Sequence, residues 1–363
     1  DLHSFPTRRS SDLFVTADDE APFELTDLQQ SYYVGRQSGI SLGGVPTHIY
    51  CELESRKFDE KRFVNAMNII ISRHDILRCV FDDMGKQHIL KKVTLDSVPF
   101  KDISGEENKD EVLAELRIRI NNKIRSIDRA PLIYPHVIKY AEDRYITGIY
   151  FDSLIIDGWS FNNFVYEIDL FYREEKNVLP DTKCSFHEYM ANKDSIYPEE
   201  EKERAAAFWN EKVKEFSGAP NLPMKVDPEM VDTIEYSHEG RFLSDEFWIT
   251  FSEQAAELGI STFVITLTAY CKIIARYSGS REFLMNVPVS RRAESGMNLD
   301  DAIGDFSDFI IFNYTEKENE RLVDTARRIK DMLYKMQENI AVTGTDIVTK
   351  RSEERRVGKE CRS

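Results

Sequence analysis

The stretch FDSLIIDGWS, residues 151–160, places two carboxylates and a hydroxyl close together along the chain. Asp152 falls near the end of an apolar run, and Asp157 falls in the Asp-Gly turn that follows it. Paired carboxylates commonly perform general acid–base chemistry. However, the two aspartates are five residues apart, and this odd spacing sends them to opposite faces of a strand. We therefore do not expect one acid–base pair here, unless the turn redirects Asp157.

The same residues also allow a purely structural interpretation. An Asp-Gly pair is a common turn sequence, and Ser160 could be the N-cap of a following helix. Spacing alone leaves the structural and catalytic interpretations open. Nucleotide and zinc chemistry have no support, because the GxGxxG, P-loop and HExxH patterns are absent from the sequence. His187 has no partner His or Cys at metal-ligand spacing, so we expect no metal site.

Hydrophobic periodicity predicts the elements that position these residues. Residues 145–156 are dominated by β-branched and aromatic side chains, which predicts a buried strand. Strands and helices alternate along both halves of the chain, which is typical of an α/β fold with two lobes, placed at residues 14–183 and 184–350. Helices are predicted over 59–73 with Asp59 as N-cap, 107–123, the residues after DGWS, 200–216, 261–278 ending at Gly279, and 321–339, and strands over 281–290 and 308–314.

Composition excludes several classes of function. The chain of 363 residues carries 48 Lys+Arg and 64 Asp+Glu, a formal net charge of −16. An acidic chain is a poor match for nucleic acid, whose phosphates attract a basic face. No apolar run approaches the roughly 20 residues of a membrane-spanning helix, so we expect no membrane partner. The five cysteines form no CxxC pair, which favours a reduced, cytoplasmic protein.

The two terminal segments are related through their coding DNA. Residues 1–13 read DLHSFPTRRSSDL and residues 351–363 read RSEERRVGKECRS. A back-translation of the first segment, read as its reverse complement, encodes the second, and this DNA resembles a sequencing-library adapter. We therefore expect both tails to be non-native and leave them out of the fold prediction. The residues between them are then expected to be a fragment of a longer protein.

The acidic stretch resembles the DxxxxDxxS signature of heterocyclization domains of nonribosomal peptide synthetases, through Asp152, Asp157 and Ser160. These domains are relatives of condensation domains, which carry HHxxxDG at the same place. In that alignment Asp152 stands where the first His would be, and Ser153 where the catalytic His would be. Asp157 and Gly158 are shared by both types. The missing imidazole argues against an ordinary condensation domain.

Further blocks occur in the order that the same family has, across about residues 22–349. The ordered set makes the resemblance stronger than any single block. The blocks are FELTDLQQSYYVGR at 23–36, similar to FPLTxxQxAYxxGR; RHDILRCVFDDMGKQ at 73–87, similar to RHxxLRxxFxxxGxQ; APNLPMKVDP at 219–228, loosely similar to a Pro-Leu connector; and IGDFSDFII at 303–311, similar to GDFTxLxLL.

The resemblance implies a two-lobed fold like that of chloramphenicol acetyltransferase, with an incomplete second lobe and a substrate tunnel between the lobes. It implies amide formation between an acyl or peptidyl thioester and a carrier-bound Cys, Ser or Thr, followed by cyclodehydration to a thiazoline or oxazoline. The substrates would be the phosphopantetheine arms of upstream and downstream peptidyl carrier proteins, with an adjoining adenylation domain. No bound cofactor is implied, and the product could be a siderophore.

The resemblance also assigns the site. Asp152, Asp157 and Ser160 belong to the catalytic signature, although Asp157 is expected to form a buried bridge with Arg292 that joins the lobes rather than to transfer protons. Asp152 and Ser160 are expected to shape the channel, and the residues that promote dehydration are expected in later blocks. The remaining expected substrate-channel residues are Ser153, Gly158, Trp159, Gly304, Asp305, Phe306 and Ser307.

Two other functions stay open at this point. One is a condensation-type enzyme that forms an amide or ester without closing a ring. The other is a non-catalytic domain that only docks carrier proteins. The fragment itself is expected to be inactive, because its second lobe would expose apolar surface and aggregate.

Overall fold

The computed structural model describes residues 21–37, 43–173, 179–227, 230–231, 234 and 240–348, except for the side chain of Glu294. Contacts divide the chain into two compact units. The first unit holds the residues up to Ile196 together with Ser290–Ser307, and the second holds Tyr197–Val289 and the residues from Asp308 onward.

The first unit therefore extends beyond the lobe boundary predicted at residue 183, and it includes a second segment of the chain. The reason is hydrophobic packing. Phe186, Met190 and Phe306 are all buried in one apolar core with the helices and strands of the N-terminal part. Burial of such side chains is the main favourable contribution to folding, so these segments fold with the first unit.

The first unit contains two sheets, whose strands are numbered in chain order with the ranges given at the end of this paragraph. One is a mixed sheet of order β2–β7–β6–β5, and the other is a small sheet of order β1–β4–β3. Neighbouring strands are antiparallel, except that β5 and β6 run parallel. The elements are β1 (Phe23–Glu24), α1 (Asp27–Gly35), β2 (His48–Ser55), α2 (Glu60–Arg73), β3 (Cys79–Phe81), β4 (Lys86–Ile89), β5 (Phe100–Asp102), α3 (Lys109–Asn121), β6 (Ile133–Ala141), β7 (Arg144–Asp152), α4 (Gly158–Tyr172) and α5 (Phe186–Asn192).

The central strand β7 has two different faces. Ile149 and Phe151 lie in the main core, where the ring of Phe151 meets that of Phe164 of α4 at 4.7 Å between centroids. Ile146, on the other face of β7, belongs to a separate apolar cluster that includes Leu116 of helix α3. The nearly continuous burial of β7 confirms the predicted buried strand, which ends at Asp152 rather than at residue 156.

Local signals fixed most helix ends as predicted. Asp59 caps α2 through its side chain. The sequence left open that Ser160 caps α4, and the structure shows a different residue in that place. Asp157 takes that place because its carboxylate accepts the N–H of Ser160.

The second unit packs helices against the two-stranded sheet β8–β9. Its helix α8 begins after the N-cap Ser261 and ends at Gly279, whose φ of 64° suits glycine, as predicted. The helix over residues 245–257 was not predicted. The elements are α6 (Glu199–Lys212), α7 (Asp245–Glu257), α8 (Thr262–Ser278), β8 (Glu282–Ser290), β9 (Ser307–Thr315) and α9 (Leu322–Gln337).

Within the described residues, no single helix has the length and apolar character needed to cross a membrane. Helices α7 and α8 together reach that length and composition, but the chain bends by 99° between them.

Candidate functional site

Asp152, the last residue of β7, is almost completely buried, with 1% of its surface exposed. Arg36, which follows α1, holds its carboxylate with both terminal nitrogens: Nη2 lies 2.9 Å from Oδ2, and Nη1 lies 3.2 Å from Oδ1. The same carboxylate accepts a 3.1 Å hydrogen bond from the backbone N–H of Leu154. A two-pronged guanidinium contact fixes both the position and the orientation of a carboxylate. Asp152 is therefore a compensated, oriented charge at the end of the strand.

The turn after Asp152 is also tied to α1. The fully buried side chain of Gln29 donates from Nε2 to the carbonyl of Leu154 at 2.6 Å. Gln29 in turn exchanges amide hydrogen bonds with Gln87 of β4, at 3.1 and 3.3 Å. The two sequence blocks that contain Gln29 and Gln87 thus meet beneath the same turn.

Asp157 connects the start of α4 to the segment around Phe306. Its Oδ1 accepts the backbone N–H of Ser160 at 2.7 Å, and its Oδ2 accepts the backbone N–H of Phe306 at 3.1 Å. Nη2 of Arg292 lies 3.3 Å from Oδ1 and 3.5 Å from Oδ2. The expected pairing of Asp157 with Arg292 is therefore present. Both residues belong to the first unit, so the pair closes a network inside one unit instead of joining two lobes.

Ser160 is fully buried, and its hydroxyl has all its hydrogen-bonding capacity in use. Oγ donates to the carbonyl of Gly304 at 2.7 Å, and it accepts from the backbone N–H of Gly304 at 3.0 Å and from Nη2 of Arg292 at 2.6 Å. A hydroxyl has one donor and two acceptor sites. Because its proton already faces a carbonyl oxygen, Ser160 has the geometry of a structural link rather than of a nucleophile.

Arg292 is the hub of this network and is 6% exposed. Its Nη1 donates to the carbonyls of Leu299 and, at 3.0 Å, of Ala302. Its guanidinium carbon lies 4.0 Å from the ring centroid of Phe306, a cation–π contact. Burial lowers the pKa of Arg292, against the opposing effect of the Asp157 carboxylate. The arginine thus holds the segment that contains Leu299, Ala302 and Phe306 to the start of α4.

Gly304 could not be replaced by a larger residue in this arrangement. A Cβ at Gly304 would lie 2.3 Å from Cδ2 of Phe186 and 2.8 Å from Cε2 of Phe306. The backbone of Gly304 also receives the N–H of Asp157 at 3.0 Å. The glycine therefore allows the close approach on which the Asp157 and Ser160 contacts depend.

The structure brings some of the predicted site residues together and separates others. Asp157, Ser160, Arg292, Gly304 and Phe306 form the network described above. Asp152 is held instead by Arg36, and its neighbour Ser153 is buried and donates its backbone N–H to the carbonyl of Thr47 at 3.0 Å. Asp305 is buried and accepts the N–H of Ser307 at 3.2 Å. Gly158 lies exposed at the start of α4. Trp159 is 54% exposed, and its indole N–H donates to the carbonyl of Asp300 at 3.0 Å.

Arg36 and Tyr32 were missed by the sequence-based assignment. Burial, together with the nearby charges of Asp305 and Asp157, raises the pKa of Tyr32 to about 12. Both residues lie in the block FELTDLQQSYYVGR, which the sequence singled out without giving its side chains a task. A buried carboxylate needs a compensating positive charge, so Asp152 predicts a basic partner. Arg36, in the block at residues 23–36, is that partner.

A second buried ion pair anchors α4 from its other side. Glu167 of α4 is buried, and its Oε2 lies 2.9 Å from Nε2 of His74 while its Oε1 lies 3.1 Å from Nε of Arg73. Arg78 closes the end of α2 through bonds of 2.9 and 2.8 Å to the carbonyls of Ile71 and Ser72. The block that begins at Arg73 therefore supports the helix that carries Asp157. Among the described residues, no cluster of His, Cys, Asp and Glu has the geometry of a metal site.

Comparison with known proteins shows the family to which this chain belongs. The Condensation domain family matches residues 20–360, so this chain belongs to the condensation-domain family of nonribosomal peptide synthetases. It is similar to bacitracin synthase 1 of Bacillus licheniformis, with 26% identity over 90% of this chain and 6% of that protein. It is also similar to phenyloxazoline synthase MbtB of Mycobacterium sp. (strain MCS), with 24% identity over 94% of this chain and 29% of that protein. The chain thus spans a small part of these relatives.

Among solved structures, the chain resembles the EpoB cyclization-docking bidomain of a nonribosomal peptide synthetase from Sorangium cellulosum. The TM-score is 0.83 at 23% identity, over 95% of this chain and 70% of that one. The predicted α/β fold of the condensation-domain type is therefore confirmed.

Proposed function

We propose that this condensation-type domain is a heterocyclization domain. One observation carries the proposal. The turn that opens α4 presents a pair of separately compensated aspartates, Asp152 and Asp157, and a serine at residue 153, where the resemblance places the imidazoles of ordinary condensation domains. The printed names of two relatives, a phenyloxazoline synthase and a cyclization-docking bidomain, point in the same direction.

The proposed reaction has two stages. First, the amine of a carrier-bound Cys, Ser or Thr attacks the thioester carbonyl of the upstream acyl group, a C–N bond forms, and the C–S bond breaks to release the carrier thiol with a proton. Then the side-chain thiol or hydroxyl attacks the new amide carbon, the former carbonyl oxygen leaves as water, and a C=N bond closes the thiazoline or oxazoline. Holding two tethered reactants together can contribute about 7–11 kcal/mol to such a reaction.

The contacts of this chain support a positioning task for the signature residues. Asp157 and Ser160 are committed to Arg292, Gly304 and backbone N–H groups, and Asp152 is committed to Arg36. Dehydration needs a proton delivered to the departing oxygen. We assign that transfer to groups outside this network, and we assign to the network the task of fixing the shape of the turn.

The remaining assignments rest on the same proposal. The partners are upstream and downstream peptidyl carrier proteins and an adjoining adenylation domain, in a cytoplasmic synthetase. The phosphopantetheine arms of the carriers act as substrates, with no resident cofactor. The siderophore-type product is also part of the proposal.

The experiment reconstitutes the parent synthetase with both carriers loaded and measures the released product by mass spectrometry. A product lighter than the acyclic amide by one water molecule is expected. An acyclic amide or ester as the sole product would instead establish the condensation-type alternative.

The variant Asp157→Ala separates the third possibility. If the domain only docks carriers, this variant leaves product formation unchanged. If the domain catalyses ring formation, product formation falls, whereas the matched control Asp169→Ala, at an exposed site of the same helix paired with Arg173, retains it.

A further inference from the structure

Three side chains at and just after α1 lie on one face of the helix, toward the turn after β7. Gln29, Tyr32 and Arg36 are spaced by three and four residues, which places them on one helical face. The backbone N–H of Arg36 bonds to the carbonyl of Tyr32 at 3.3 Å, so the helical geometry extends to the arginine. Gln29 is bonded to the carbonyl of Leu154, and Arg36 to the carboxylate of Asp152. Tyr32, between them, therefore faces the same turn.

The hydroxyl of Tyr32 is not used by the fold. The hydroxyl of its neighbour Tyr33 donates to the carbonyl of Asp82 at 2.9 Å. By contrast, no hydrogen bond of the Tyr32 hydroxyl is found among the described residues. Tyr32 is half-buried, and its ring packs against the main core of the first unit. The ring is thus held in place while the phenol proton stays available to a bound molecule.

The surroundings of Tyr32 keep its phenol neutral. Burial, with the added effect of the charges of Asp305 and Asp157, raises its pKa to about 12, so the hydroxyl retains its proton near neutral pH. The other signature side chains are committed, since Asp152 and Asp157 accept hydrogen bonds with both oxygens and the proton of Ser160 faces a carbonyl. Tyr32 therefore brings a proton to a turn whose other signature groups are already engaged.

We propose that Tyr32 is a catalytic residue of ring closure, and that its hydroxyl donates a proton to the oxygen that leaves as water. This inference rests on the proposed function, because only a cyclodehydration has such a leaving oxygen. Ser153, where the resemblance places the catalytic imidazole of ordinary condensation domains, lies between Asp152 and Leu154. The turn that lacks an imidazole thus has a phenol facing it.

The proton balance of this step closes on Tyr32 itself. Attack of the side-chain thiol or hydroxyl on the amide carbon, with transfer of its proton to the former carbonyl oxygen, gives a tetrahedral carbon that bears a hydroxyl. As the C–OH bond breaks, this hydroxyl takes the proton of Tyr32 and leaves as water, while the nitrogen lone pair forms the C=N bond. The nitrogen then loses its proton, which returns to the phenolate oxygen of Tyr32.

The experiment follows the two stages separately in the parent synthetase with both carriers loaded, by mass spectrometry of the bound and released products. Tyr32→Phe is expected to slow ring closure by about a hundredfold or more, which is the usual contribution of a positioned proton donor. Amide formation should continue, so the acyclic amide accumulates. Equal slowing of both stages would overturn the inference, because it would indicate a structural effect.

The matched control is Tyr33→Phe, which removes the same atom from the adjacent residue. This control should lower the melting temperature through loss of the bond to Asp82 and leave the rate of ring closure unchanged. Tyr32→Phe should show the reverse pattern, with the melting temperature of wild type and slow ring closure. A drop in melting temperature for Tyr32→Phe equal to that of the control would contradict the availability of its hydroxyl.

Replacement of Tyr32 by a difluorotyrosine, whose phenol is more acidic, is a readout that a structural role would not move. A phenol donates a proton only while it is protonated, so ring closure should decline at a lower pH in this variant than in wild type. An unchanged pH profile would overturn the inference. If wild type releases only an acyclic product, the proposed function and this inference both fall. If wild type closes the ring and Tyr32→Phe closes it equally fast, this inference alone falls.

Discussion

Arg292 and Asp157 face each other in the interior of the first unit, with Nη2 3.3 Å from Oδ1 and 6% and 3% of their side chains exposed. Such a pair gains little over two apolar residues, because both charges lose their hydration. Removing one partner alone leaves a buried charge without compensation, which is strongly unfavourable. The pair is therefore informative as a test of the described network.

Asp157→Ala should lower the free energy of unfolding by about 3–5 kcal/mol, since it strands Arg292 and uncaps α4. Urea unfolding followed by tryptophan fluorescence measures this change. The double variant Asp157→Ala with Arg292→Met should recover part of the loss. A single variant within about 1 kcal/mol of wild type would show that the two side chains do not interact as described.

Arg36→Met should destabilise the chain by a similar amount, about 3 kcal/mol or more, because Asp152 would keep a buried charge without its arginine. Adding Asp152→Asn should restore stability, since the neutral amide can still accept the N–H of Leu154. The same unfolding assay applies. If Asp152→Asn fails to rescue Arg36→Met, the guanidinium acts through packing and not through the carboxylate.

Gly304→Ala and Gly158→Ala form a matched pair. At Gly304 a Cβ would meet the ring of Phe186 at 2.3 Å, so we expect a loss of about 1–3 kcal/mol in unfolding free energy. At Gly158 no atom lies within 4 Å of the added Cβ, so Gly158→Ala should be neutral or slightly stabilising. Equal effects of the two substitutions would contradict the close approach at Gly304.

The stability of the first unit should depend on pH through His136. Burial lowers the pKa of His136, although the charge of Glu52 opposes this. The unfolded chain therefore gains a proton near the ordinary histidine value of about 6.5 while the folded chain resists it, so stability is lost as the pH falls below that value. Between about pH 7.5 and about pH 5.5, wild type should lose more stability than His136→Gln. Parallel losses would rule out this contribution.

The exposed face of helix α8 carries apolar side chains, and we expect it to promote self-association of the chain. Its inner face is buried, yet Phe263, Ile273 and Tyr277 are 51%, 53% and 69% exposed. A helix that is apolar on two faces is expected to bind hydrophobic dyes and to self-associate. The double variant Ile273→Glu with Tyr277→Glu should reduce dye fluorescence and self-association in light scattering. Tyr334→Glu, on the amphipathic helix α9, is the control and should change neither.

Much of this structure follows from local signals. Asp59, Ser261 and Gly279 mark helix ends because their backbone chemistry acts within a few residues. The order of the sequence blocks led to the fold, and the pairing of Asp157 with Arg292 was predicted from the resemblance. Ser160 was an open candidate for the cap of α4, because a Ser or an Asp before a helix can serve as N-cap. The structure shows that the hydroxyl of Ser160 is bonded to Gly304 instead, and that Asp157 is the cap.

The partner of Asp152 could not be read from spacing. Arg36 lies 116 residues before Asp152 in the sequence, and no local sequence pattern connects the two residues. The limits of the units were missed for the same reason, since the burial of Phe186 and Phe306 in one core depends on contacts between distant segments. The partner of Asp152 and the limits of the two units therefore depend on long-range packing, which hydrophobic periodicity does not reveal.

The return of Ser290–Ser307 to the first unit has a practical consequence for anyone who wishes to recombine synthetase modules. A gene cut at the first crossing between the units, after Ile196, would keep Asp157 and Ser160 but discard Arg292 and Gly304. The hybrid would inherit a carboxylate from one parent and its guanidinium from another. Transplanting both stretches of chain together, as one discontinuous cassette, is the way to carry the turn across intact.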